Sequence, residues 1–145
     1  MLRGIPSILS PDLLHALRAM GHGDELVIGD SNFPGESAGP PCIRLDGISA
    51  TDVLQAVVAL FPLDTFVEAN AFTMDQVDAP GVLPPVVQEF QAIIDSGADN
   101  PKPIQPIERF AFYERASRAF AVIITGEDRP YGNIILTKGV VFPAP

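Results

Sequence analysis

Cysteine occurs once in the 145 residues, at Cys42, so neither an intrachain disulfide nor a CxxC pair can form. The stapling of a small secreted domain is missing, and a reducing compartment, the cytoplasm, is the expectation. Cations are scarce as well: 9 Lys plus Arg face 18 Asp plus Glu, a formal charge of -9. Such a surface repels a phosphate backbone or an anionic bilayer, so neither nucleic acid nor membrane is expected as a partner. No apolar run reaches the roughly 18 residues of a membrane span, and the opening MLRGIPSILSPDLL lacks the continuous apolar core and small-residue cleavage site of a signal peptide. Histidine is limited to His15 and His22. With no HxH, HExxH or EF-hand pattern, a set drawn from His22, Asp24 and Asp30 is a poor metal site, and no metal is expected. The GHGD at 21–24 is no phosphate loop either, because a helix precedes it and a strand follows, the reverse of the nucleotide-binding order.

What is abundant is apolar. Hydrophobic residues make up 47% of the chain, nine of them phenylalanine, against 19% charged residues. A chain of this length fits one domain, 1–145, with much surface and little interior. The surplus predicts apolar area buried between subunits, a homo-oligomer.

Ser10-Pro11-Asp12 starts a helix with a capping hydroxyl, a proline where its missing N–H costs nothing, and an acid in the first turn. Leu13, Leu17 and Met20 form its buried stripe, and Gly21 ends it. Leu26 to Asp30 reads as a strand, residues 31–41 as a Pro/Gly-rich loop, and 42–45 as a second strand. Ser49 and Asp52 resemble a capping box before a helix that stops ahead of Pro62. Thr65 to Met74 reads as extended, about 84–95 as a helix, 107–120 as another, and 121–125 as a fully apolar strand. Tyr131 to Thr137 reads as a strand. Helices alternating with short apolar strands predict an α/β fold, a three-layer domain with a central sheet flanked by helices.

His22 stands between two glycines just past a helix, open to a catalytic acid/base role or to a structural one in the loop; Asp24 or Glu25 could orient its ring. His15 falls on the helix side away from the apolar stripe and reads as a surface or contact residue. Asp30, at the carboxyl end of the first strand, is placed where open α/β sheets present ligand-binding groups, or else it satisfies turn amides. Glu68 and Asn70 share one face of the third extended segment. Arg109 opens a helix where the dipole disfavours a cation, which points to a use such as hydrogen-bonding a polyol. Tyr131 and Asn133, two apart on a predicted strand, share a face and present directional groups suited to sugar hydroxyls.

These segments resemble the RbsD/FucU family on its L-fucose mutarotase side. The similarity rests on MLRGIPSILSPDLLHALRAMGHGDELVIGDSNFP, FVEANAF, PIERFAFYERASRAFAVIITGE and YGNIILTKGV, and it covers essentially the whole chain. The resemblance implies a small α/β protein assembled as a decamer of two pentameric rings, with sites at subunit contacts. It also implies a cofactor-free exchange of the α and β anomers of a monosaccharide. The family's proton-transferring histidine falls on His22 and its ligand-contacting residues on Asp30, Arg109, Tyr131 and Asn133. Ribose-type relatives have a histidine where this chain has Arg109, so the resemblance leans to fucose; a ribose pyranase and a non-catalytic sugar-binding or transport-accessory protein are the alternatives.

Overall fold

The computed structural model describes residues 1–145. In chain order the elements are α1 (Pro11–Ala19), β1 (Glu25–Gly29), β2 (Cys42–Leu45), α2 (Ala50–Val58), β3 (Ala71–Met74), α3 (Pro85–Gly97), β4 (Gln105–Ile107), α4 (Arg109–Ser117), β5 (Ala121–Thr125) and β6 (Ile134–Thr137). The strands form one six-stranded sheet in the order β2-β5-β1-β6-β3-β4. β1 pairs parallel with β5 and β5 with β2, β3 pairs parallel with β4, and β6 lies antiparallel between β1 and β3. Five strands therefore point one way and β6 alone points back.

The two-residue period of the strands sorts the core into layers. Leu26, Ile28, Ala121, Ile123, Ile134 and Leu136 face α1, α2 and α3, meeting Leu13, Leu17, Val53, Val57, Phe90 and Ile94. Val27, Val122, Ile124, Phe72 and Ile135 face the other way, onto Phe112 and Ala116 of α4 and Phe33 of the loop after β1. This is the three-layer α/β arrangement expected. No helix is long and apolar enough to cross a membrane.

The predicted caps form: the Leu13 N–H donates to Ser10 Oγ and the Asp52 N–H to Ser49 Oγ. Three expectations need correction. Thr65–Met74 is extended only over β3, because the stretch before it is held from the side. Asn70 Nδ2 donates to the Asp64 and Asn100 carbonyls, and Lys102 Nζ reaches the carbonyls of Thr65 and Val67. Ile107, read as a helix start, instead ends an edge strand, β4, over 105–107; Pro106 is tolerable there because one side of an edge strand needs no N–H. Tyr131 is not in a strand: its φ is 65°, and β6 begins three residues later.

Candidate active site

β1 ends in the buried run Leu26 to Gly29, and the chain turns immediately at Asp30. The Asp30 side chain caps that turn, its Oδ1 accepting the Asn32 N–H at 3.0 Å, while the Asp30 N–H donates to Asn133 Oδ1 at 2.7 Å. Asp30 is 6% exposed. Burial pushes its carboxyl above the ordinary carboxylate range, against the opposing N–H groups of Asn32 and Phe33 and the Asn133 amide.

Asp30 and Asn133 sit on the wall of a cavity of about 310 Å³ that Arg109, Tyr113, Tyr131 and Met74 also line. The sheet explains the convergence. Asp30 follows β1, Met74 ends β3 and Arg109 follows β4, all at the carboxyl edge of the same-direction strands, where open α/β sheets place their ligands. β6 runs the other way, so Tyr131 and Asn133, which precede it, arrive at that edge too. The pairing of Tyr131 with Asn133 in one site is as expected, but a left-handed turn brings it about, with the Tyr131 hydroxyl accepting the Val77 N–H at 3.2 Å.

Arg109 is the first residue of α4, behind the N-cap Glu108, whose carboxylate accepts the Ala111 N–H. Its guanidinium carbon lies 4.5 Å from the centre of the Phe110 ring, and its buried Nε has no partner within the protein. A buried N–H without an acceptor is costly, so the donor is held ready for something else. Tyr113 is a cavity residue that the sequence analysis does not single out. Its position four residues after Arg109, hence on the same side of the helix, is the signal that could have found it.

His22 lies elsewhere. It precedes β1, whereas Asp30 follows it, and five residues of strand between them span about 16 Å. Within one chain His22 is at the amino edge of the sheet and does not line the Asp30 cavity. It is 48% exposed, and Nε2 lies 3.1 Å from Oδ1 of Asp64, which is 3% exposed. Phe66 packs beside the imidazole with ring centres 5.3 Å apart. Burial would raise the Asp64 carboxyl, but the Phe66 N–H, His22 and Lys102 together hold it below its ordinary range.

Asp64 thus does what Asp24 and Glu25 were expected to do. Asp24 accepts the Gly21 N–H instead, and Glu25 takes a bidentate grip from Arg115 and a hydrogen bond from Thr137. Nothing local links Asp64 to a histidine 42 positions away. Glu68 is exposed, Asn70 serves the fold as described, and His15 is exposed on α1.

A mixed α/β sheet whose carboxyl edge gathers a carboxylate, a guanidinium, two phenols and two amides around one small cavity defines an α/β protein with a pocket suited to a polyhydroxylated small molecule. The chain belongs to the RbsD / FucU transport protein family, whose model matches residues 3–141. It is 49% identical over 146 residues to the fucose mutarotase of Mus musculus, covering 97% of this chain and 95% of that one. To the L-fucose mutarotase of Histophilus somni it is 46% identical over 140 residues, covering 97% of each. The solved structure of the fucose mutarotase from Streptococcus pneumoniae in complex with L-fucose superposes with a TM-score of 0.91 at 39% identity, covering 97% of this chain and all of that one.

Proposed function

We propose that this protein is a mutarotase that interconverts the α and β anomers of a small aldose, L-fucose first among them. The convergence of Asp30, Arg109, Tyr131 and Asn133 on one cavity supports the reading most. A pyranose presents hydroxyl donors and acceptors around an apolar ring. Here a buried carboxylate accepts, a guanidinium with a spare N–H donates, phenol and amide do either, and Met74 and Tyr113 cover the ring.

The reaction opens the hemiacetal. A base takes the proton of the anomeric hydroxyl as an acid protonates the ring oxygen, the aldehyde rotates, and both transfers run in reverse. No electrons leave the sugar and no group goes to a carrier, so the balance requires no cofactor. An imidazole can both accept and donate a proton and so serves both directions, and His22 takes that role. Asp64 accepts from Nε2 and so leaves the ring's lone pair on Nδ1; the four cavity residues fix the sugar, and proximity supplies part of the acceleration.

Because β1 separates His22 from the cavity, the complete site requires a second copy of the chain. The protein assembles as a decamer of two pentameric rings in which His22 of one subunit meets the Asp30 cavity of a neighbour. In support, both ends present apolar surface for such a contact, Phe66 at 68% exposure beside His22 and Phe110 at 64% beside Arg109. The lone cysteine fits a cytoplasmic setting.

Saturation-transfer proton NMR of anomer exchange with L-fucose and D-ribose, on the wild type and His22→Ala, tests the reading. Faster exchange on L-fucose that disappears in the variant supports it. The separation of His22 from the cavity also favours a second reading, a sugar-binding protein without catalysis. Sugar binding with no acceleration by an assembled wild type would select that one.

A further inference from the structure

Glu127 does not line the cavity, yet it is 3% exposed and tied into two parts of the wall behind it. Arg129 donates to its carboxylate three times, from Nε at 2.8 Å, from Nη2 at 3.1 Å and from the backbone N–H at 3.2 Å. Arg129 is itself held by Glu89 of α3 at 2.7 Å. Through the main chain, the Glu127 carbonyl accepts the Ser31 N–H at 2.9 Å, next to Asp30. The Glu127 N–H donates to Thr125 Oγ1, whose hydroxyl donates to the carbonyl of Gly29.

One residue therefore fastens the loop carrying Asp30 to the arm carrying Tyr131 and Asn133. The arm needs such support, because Tyr131 has a left-handed backbone that a bulky residue keeps only where its surroundings impose it. Gly132 shows how closely the two pack: a Cβ there would lie 2.7 Å from Glu127 Cγ.

We propose that Glu127 is a positioning residue for the sugar pocket, setting the affinity for the pyranose by holding the Tyr131–Asn133 arm against the Asp30 loop. The inference rests on reading the cavity as the monosaccharide site. It assigns Glu127 to binding rather than to proton transfer, since its partners lie at the carboxyl edge of the sheet and His22 at the other.

The test measures L-fucose affinity by NMR titration, and exchange rate at saturating sugar, for the wild-type assembly, Glu127→Ala, Glu127→Gln and Gly132→Ala. Misplacement of this kind is expected to weaken binding about tenfold or more in Glu127→Ala and Gly132→Ala. Glu127→Gln keeps one oxygen to accept from Arg129 and should fall between these and wild type. The saturated rate should change less than about twofold, a split that general loosening of the fold would not give.

An assembled Glu127→Ala or Gly132→Ala that binds as wild type, or that loses saturated rate with affinity intact, overturns the proposal. If Glu127→Ala does not fold, the other two variants decide. A wild type that binds no L-fucose refutes the reading of the cavity, an outcome separate from a wild type that binds while the variants bind equally well.

Discussion

Asp64 Oδ1 and His22 Nε2 meet at 3.1 Å, the carboxylate buried beneath an imidazole that is itself half in solvent. A carboxylate that only accepts orients the ring and keeps a proton on Nε2. Asp64→Ala removes the oxygen that both His22 Nε2 and the Phe66 N–H use, which frees the ring's orientation and its tautomer. Anomer exchange should fall about 10²-fold with L-fucose affinity nearly unchanged, as read by saturation-transfer NMR and titration. Wild-type exchange in Asp64→Ala would remove the residue from the mechanism.

Asp30 should trade stability for binding. Its carboxyl is raised above 3.8 by burial, so between that value and the raised one the native state holds more protons than the unfolded chain. Stability attributable to this group therefore falls as pH rises through that window. Asp30→Asn removes the cost and should show a higher urea midpoint than wild type at pH 7, with the advantage shrinking as the pH drops through the raised value. The same variant should bind L-fucose about tenfold more weakly, having lost a charged acceptor. No gain in stability at neutral pH would contradict the account of its burial.

Arg109→Met keeps the apolar stem and the cover over Phe110 while deleting the unpartnered Nε. Affinity for L-fucose should drop about 10- to 100-fold, the worth of a hydrogen bond from a charged donor. Thermal stability should hold or rise, because a buried orphan donor has gone. A destabilised variant with intact affinity would show that the guanidinium serves the fold.

Lys138 closes the carboxyl end of α1, its Nζ donating to the carbonyls of Leu17 and Met20. Lys138→Met should cost about 1 kcal/mol of stability by urea denaturation. Because His22 lies just beyond those carbonyls, exchange should slow more than sugar binding weakens. Equal stability in the variant would argue that water replaces the ammonium.

Much of the frame is legible in the chain because it rests on local rules. Ser10 and Ser49 announce helices through their hydroxyls, and Ala121 to Thr125 announces a strand covered on both faces. The Asp30 end of the site is legible for a related reason, since strand termini concentrate its residues. What stays hidden depends on distant partners. Residues 65–70 look extended but are held by Asn100 and Lys102, and the ring of His22 is oriented by Asp64 rather than by its neighbours Asp24 and Glu25. Tyr131 and Asn133 come together as expected, although a turn with positive φ does the work assigned to a strand.

β6, the one strand that runs against the rest, is four residues long. Ahead of it come Tyr131 and Asn133, and directly after it the Lys138 backbone pairs with Gly23 and Asp24, which follow His22, and with Leu63, which precedes Asp64. The two chemically distinct edges of the sheet are thus joined by a ruler of fixed length. Adding or deleting one residue within it would turn the side chains beyond the change to the opposite face and alter the set separation between the Tyr131–Asn133 arm and the support of His22, so the length of this span constrains both edges at once.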